Sequence, residues 1–289
     1  MVNHNEEYDK LINRFLSWAN QYDDIRAAVI VGSRARTSEP ADEWADLDLI
    51  IVSTDLEKYL SSTDWLNNMG NYWITFIEDD ALGVTKERRV LYDGGLDVDY
   101  VFYPANVIDN LLENPEVNGI IARGIRVLID KDNKFGELNQ LNSSEKAKFV
   151  IAEDELLNSI NDFWFHAVRA TKKILRGELW IAKNTIDSYM KNSLLYLVEI
   201  HAKVNNGMDY DTWHNGRYLE KWADPSIVEG LKNSFSYYDK KDIERALVET
   251  MNLYRWIARE NCDKLNLPYP NIADGKATKW IIHNLRIDI

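Results

Sequence analysis

The 289-residue sequence predicts an α+β protein: a mixed α/β domain followed by a helical domain. Three observations predict it. Short apolar runs bounded by turn residues fill the first half. Nearly everything in the second half has helical period. Between them lies a polar stretch, DKDNKFGELNQLNSSEKAK, which reads as a linker and places the domains at 1–135 and 149–289.

The elements follow in order. From Glu6 to Tyr22, Leu11, Phe15, Trp18 and Ala19 recur at helical spacing with polar residues between them. Ile25 to Val31 is an apolar run of the buried-strand type, ending at Gly32. The residues SRARTSEPADEWA form a turn or helical start and then a loop, and Asp46 to Ser53 is the next strand. Leu56 to Met69 reads as a helix and Trp73 to Glu78 as a strand. Arg88 to Tyr92 and Leu96 to Tyr103 flank Asp93-Gly94-Gly95, a hairpin signal. Ala105 to Leu112 is expected to be helical and Arg126 to Ile129 a last strand. In the second half three apolar faces stand out. The first is traced by Leu157, Ile160, Trp164, Val168, Thr171 and Leu175; the second by Leu179, Ala182, Ile186, Met190, Leu194 and Leu197. The third runs through Ile243, Ala246, Leu247, Thr250, Met251, Tyr254 and Ile257.

Composition narrows the partners. A formal net charge of −13 argues against a nucleic-acid binder, which needs a basic stripe to neutralise phosphates, and suits a cationic ligand. The single cysteine, Cys262, excludes an intrachain disulfide and fits a reducing compartment. The polar start MVNHNEEYDK is unlike a signal peptide, and the apolar runs are too short to span a bilayer. The expectation is a cytoplasmic protein with no membrane and no nucleic-acid partner.

Two apolar runs carry chemistry. Asp46 and Asp48 stand two apart in one, Asp97 and Asp99 two apart in the other, so each pair projects to one side of its strand. The turn Gly32-Ser33 precedes the first pair, with Arg34 and Arg36 after it. Backbone donors of such a turn suit a phosphate, although neither GxxxxGK[ST] nor GxGxxG is present. Paired carboxylates suit Mg²⁺, a hard ion that takes oxygen ligands shared with substrate phosphates. A third carboxylate, Asp97 or Asp99, would help hold a second ion or take a proton from a nucleophile.

The ordered set Val31-Gly32-Ser33, twelve intervening residues, Asp46-Leu47-Asp48 and a later carboxylate resembles the nucleotidyltransferase superfamily, whose fold is that of DNA polymerase beta. GSRAR, ADLDLIIV, WITFIEDD, VDYVFYP and NGRYLEKW narrow it: the sequence is similar, over nearly all its length, to the aminoglycoside 6-adenylyltransferases. That resemblance implies a polymerase-beta-like domain with a mixed sheet, a helical bundle that binds the acceptor, ATP as co-substrate, Mg²⁺, and a cationic aminoglycoside such as streptomycin. It implies Asp46, Asp48 and Asp99 as metal ligands and catalytic carboxylates, and Gly32, Ser33 and Arg36 as the phosphate-contacting turn. Related enzymes place a phosphate-binding lysine on a helix near Lys191. Asn215-Gly216-Arg217 has Arg where the family pattern has Lys, which changes the donor geometry.

Plainer readings stand beside these. Lys183, Asp187 and Lys191 have the spacing of a surface ion-pair ladder. Arg34 and Arg36 can pair with Glu39, Asp42 or Glu43, and Ser33 can cap a helix. His166 and His201 lie in apolar helical faces and read as packed or hydrogen-bonded, and no two histidines have zinc spacing. Two functional alternatives remain: the same chemistry on another antibiotic or a protein hydroxyl, and a nucleotide-binding relative without turnover.

Overall fold

Leu11, Ile12, Phe15, Trp18 and Ala19 form one apolar stripe along α1 (His4–Ala19), and the stripe packs into the core on one face of a six-stranded sheet. The sheet is built from β1 (Ile25–Val31), β2 (Leu47–Ser53), β3 (Tyr72–Asp79), β4 (Lys86–Tyr92), β5 (Leu96–Pro104) and β6 (Arg126–Asp130), in the spatial order β3-β4-β5-β2-β1-β6. Only β2 and β5 run parallel; the other neighbours are antiparallel, so the sheet is mixed as expected. Parallel neighbours need a long crossover, here the chain through β3 and β4. This computed structural model describes residues 4–36, 39–80, 83–136 and 151–287. The chain divides into two compact units, Met1–Ala147 and Lys148–Ile289.

The period of two along the strands separates two cores in the first unit. Leu47, Leu49 and Ile51 of β2 and Val98, Tyr100 and Phe102 of β5 face α1. Val52 and Tyr103 face the other way, into a smaller cluster with Val29, Ile108 and Phe135. Ile108 belongs to α3 (Ile108–Leu112), which follows a tight turn over Ala105–Val107. A further helix, α4 (Pro115–Arg123), lies where no element was expected, although Pro at a first helical position is a recognised start. The stretch read as one helix from Leu56 is split into α2 (Glu57–Ser61) and a tight turn at Asp64–Asn68. Ser62 Oγ accepts from the Asp64 N–H at 3.2 Å, and Trp65 Nε1 donates to the carbonyls of Tyr59 and Ser62. These local bonds compete with a continuous helix. The start of the expected linker is also ordered. The Asp130 carboxylate accepts from the N–H groups of Lys134 and Phe135, each at 2.9 Å, and Phe135 is buried. Most of the rest of the linker lies outside the described residues.

In the second unit α5 (Glu153–Leu175), α6 (Leu179–Asn184), α7 (Met190–Asn206), α8 (Leu219–Trp222), α9 (Pro225–Ser234), α10 (Lys240–Leu265) and α11 (Asn271–Leu285) surround one apolar core. The third expected face is buried throughout on α10. The face of α5 is rotated from the expected one: Leu156, Phe163, Ala167 and Ile174 are buried, whereas Leu175 is exposed. The second face continues from α6 to α7 through a wider, π-type turn at Thr185–Tyr189, which keeps Ala182, Ile186, Met190 and Leu194 inward. His166 Nδ1 lies 3.0 Å from the Asp162 carbonyl and His201 Nε2 2.8 Å from Glu260 Oε2, as packed, hydrogen-bonded histidines should. Among the described residues no helix is long and apolar enough to cross a membrane.

Candidate active site

The site begins where β1 ends. Gly32 has φ +70°, a left-handed conformation that costs a side-chain-bearing residue, and a Cβ there would run into the Asp48 carboxylate. Glycine is therefore required twice at this position, once by the turn and once by Asp48. Ser33 follows in a single tight turn. Its side chain is buried, and its Oγ has no hydrogen-bond partner among the described residues.

Strand register then lines up four residues. Val31 on β1 pairs with Asp48 on β2, Asp48 with Asp99 on β5, and Asp99 with Arg89 on β4. Paired residues share a face, so Asp48, Asp99 and Arg89 project together. Asp46 stands one residue before β2 rather than inside it. Carboxylate oxygens of Asp46, Asp48 and Asp99 all lie within 4.8 Å of one another. Asp97, one of the two candidates for third carboxylate, is outside that group: it is exposed and pairs with Leu91.

Asp99 is 5% exposed. Arg89 Nη1 donates to its Oδ2 at 2.9 Å, while Oδ1 is buried without a partner among the described residues. Burial pushes the Asp99 carboxyl up to about 7; Arg89 opposes the shift, and Asp48, Asp97 and Glu87 add to it. Burial also raises Asp97, helped by Asp46. A buried carboxylate oxygen with no donor, next to two more carboxylates, is costly unless a proton or a cation completes it. The donor set is all oxygen, which suits a hard divalent ion such as Mg²⁺.

Arg34 has a different part from phosphate contact or pairing with Glu39, Asp42 or Glu43. Its Nε and Nη2 donate to the carbonyls of Asp46 and Ala45 at 2.9 and 2.7 Å, and its guanidinium stacks 3.5 Å over the Tyr8 ring. The Tyr8 hydroxyl accepts from the Asp97 N–H at 2.9 Å. Thus α1 ties down both the approach to Asp46 and the start of β5. Arg36 is buried, and its Nε donates to the Glu39 carbonyl at 2.7 Å. Gly124 lies so close to it that a Cβ there would stand 2.6 Å from Arg36 Cα.

Lys191 belongs to the second unit, on α7. It is not part of a surface ladder: it is 8% exposed, its Nζ donates to Thr250 Oγ1 at 2.8 Å, and Asp187 Oδ1 is 3.9 Å away. Burial lowers its ammonium group to about 8, with Asp187 opposing. Trp164 is core, and Trp73 is exposed on the edge strand β3.

Arg89 was absent from the sequence reading, and a signal for it exists. Counting back from the turn Asp93-Gly94-Gly95 pairs Tyr92 with Leu96 and Arg89 with Asp99.

The mixed sheet, the Gly-Ser turn and the carboxylates in register on adjacent strands, with a helical second unit, define an α+β nucleotidyltransferase fold. The chain matches the streptomycin adenylyltransferase family over residues 5–284, and it belongs to that enzyme family. It is similar to the aminoglycoside 6-adenylyltransferase of Campylobacter jejuni, with 20% identity over 98% of this chain and 96% of the relative. The enzyme of the same name from Bacillus subtilis is 21% identical over 92% of this chain and 94% of its own length. A crystal structure of an aminoglycoside 6-adenyltransferase from Bacillus subtilis aligns over 95% of this chain and 97% of that one, with 18% identity and a TM-score of 0.46.

Proposed function

We propose that this protein transfers AMP from ATP to a hydroxyl group of an aminoglycoside, with streptomycin the first acceptor to test. The observation that carries the reading is the pair of buried oxygens without a partner among the described residues, Ser33 Oγ and Asp99 Oδ1, on residues next to Gly32 and opposite Asp48 respectively. Ser33 offers a hydroxyl donor to a phosphate oxygen, and Asp99 an acceptor to an incoming hydroxyl. Family membership supports the nucleotide and aminoglycoside classes of substrate.

In this reading the acceptor hydroxyl attacks the α-phosphorus of ATP, the new O–P bond forms as the bond to pyrophosphate breaks, and the hydroxyl proton passes to Asp99 Oδ1. Asp46, Asp48 and Asp99 would hold Mg²⁺, which would screen the triphosphate and the charge that develops on it. The turn Gly32-Ser33 with Arg36 contacts the phosphates, and Arg34 with Tyr8 holds Asp46 in place. Lys191 is assigned a phosphate contact on its resemblance to the helix lysine of related enzymes. The helical domain, 149–289, is assigned acceptor recognition, with Glu153, Asp154, Glu155, Asp162 and Asp187 as candidate partners for cationic groups. The reaction is placed in the cytoplasm, where ATP is supplied.

Pyrophosphate release from ATP, measured with and without Mg²⁺ against a panel of aminoglycosides, tests the reading. Release that requires both Mg²⁺ and one acceptor, with that acceptor gaining the mass of one AMP, is the expected result. Absence of release with every aminoglycoside would overturn the acceptor class.

A further inference from the structure

We propose that Arg89 is a positioning residue that holds one oxygen of Asp99 so that the other is presented to the site. The proposal rests on the reading above, in which Asp99 completes the carboxylate triad. Arg89 and Asp99 are direct partners on the antiparallel strands β4 and β5, and Nη1 meets Oδ2 at 2.9 Å. The opposite side of the guanidinium is also committed. Nη2 lies 2.9 Å and Nε 3.0 Å from Glu87 Oε1, and Nε also donates to Glu78 Oε1. Glu78 and Glu87 are themselves partners across β3 and β4, and Glu87 is 6% exposed.

A planar guanidinium gripped on two sides has little freedom to rotate. The carboxylate it grips is fixed in turn, because Asp99 sits on a central strand and has one oxygen bonded. Its Oδ1 is left buried with no partner among the described residues, and one of the Asp99 carboxylate oxygens lies within 4.8 Å of oxygens of Asp46 and Asp48. A loose Asp99 would spread two oxygens over several orientations, and misplacement by a fraction of an ångström lowers both ion binding and proton transfer. The same three carboxylates engage all three nitrogens of the Arg89 guanidinium.

Arg89→Lys separates geometry from charge. It conserves the positive charge but replaces the fork with a single ammonium, which does not hold Asp99, Glu87 and Glu78 in one plane. Wild type, Arg89→Lys and Asp48→Asn are compared by thermal melting, by Mn²⁺ binding followed through the free-ion electron paramagnetic resonance signal, and by kcat and KM for ATP. For Arg89→Lys the expected result is a folded protein with Mn²⁺ binding weakened at least about fivefold, kcat lowered at least about tenfold and KM for ATP within about threefold of wild type. Wild-type Mn²⁺ binding together with kcat within about twofold overturns the proposal. If that result coincides with loss of Mn²⁺ binding in Asp48→Asn, the triad reading stands and only the role of Arg89 fails. If Asp48→Asn also binds Mn²⁺ normally, both fail. Should Arg89→Lys not fold, the double variant Glu78→Ala/Glu87→Ala releases the far side of the guanidinium without touching Asp99. It should lower kcat about two- to fivefold at unchanged KM, and an unchanged kcat overturns the proposal.

Discussion

Asp48 and Asp99 are register partners on the parallel strands β2 and β5, so two carboxylates are fixed side by side at the centre of the sheet. Like charges so placed repel unless a cation or a proton intervenes. The wall of the site is completed by Gly32, whose lack of a side chain lets the Asp48 carboxylate pass.

Replacing either Asp46 or Asp48 by Asn should lower turnover at least about a hundredfold while the protein stays folded, since even indirect partners of a metal ligand are worth about 10–100-fold. Steady-state adenylylation and thermal melting measure the two effects. Near-normal turnover in either variant would show that the pair does not hold the ion.

Asp99→Asn and Asp97→Asn should separate cleanly. Asp99 belongs to the triad and Asp97 does not. Asp99→Asn is expected to depress kcat about a hundredfold or more with ATP binding retained, and Asp97→Asn to keep most of its activity. A reversed ranking at saturating substrates would transfer the third-carboxylate role to Asp97.

The buried Asp99 carboxyl also makes stability depend on pH. Its proton is held up to about 7 in the folded protein, whereas an unfolded aspartate releases it near about 3.9. Between those values the folded state binds the extra proton, so the contribution to stability is full at the acid end and is lost as pH rises through the window. With chelator present, the melting temperature of wild type relative to Asp99→Asn should fall from pH 4.5 to pH 7.5, values spanning roughly that window. Parallel curves for the two proteins would place the proton elsewhere. Divalent-ion binding should release a proton at about pH 6 and none at about pH 8.5, which titration calorimetry in two buffers can read.

Gly32→Ala combines two penalties. A left-handed residue with a Cβ costs about 1 kcal/mol or more, and that Cβ displaces the Asp48 carboxylate. A melting temperature lower by about 2–4 °C or more is expected, with turnover falling further than the stability loss explains. Wild-type turnover in Gly32→Ala would mean that Asp48 need not occupy its observed place.

Lys191→Met tests the lysine on α7. Burial already works against its charge, so an apolar side chain of similar length should leave the melting temperature unchanged or raise it. If the ammonium group contacts the nucleotide, KM for ATP should rise about tenfold. An unchanged KM would leave Lys191 as a core residue bonded to Thr250.

The sequence by itself determined the order of the six strands, the first helix, the place of the Gly-Ser turn, and the pairing of Asp46 with Asp48, because each depends on short-range periodicity or on a turn. It also contained the Arg89–Asp99 pairing, since a hairpin register is set by its own three-residue turn and can be counted outwards from Asp93-Gly94-Gly95. Tertiary structure alone decided that Asp99 and not Asp97 lies beside Asp48. Parallel strands have no turn to set their register. The offset of β5 against β2 is fixed by the whole crossover between them and by the packing of Leu49, Ile51, Tyr100 and Phe102 against α1. The same dependence on distant partners explains the other differences. Arg34 turned to the carbonyls of Ala45 and Asp46, Lys191 was buried against Thr250, and the inner face of α5 settled on Leu156 and Phe163. In each case the deciding partner is far along the chain or on another element, where local pattern carries no information about which group a side chain will meet.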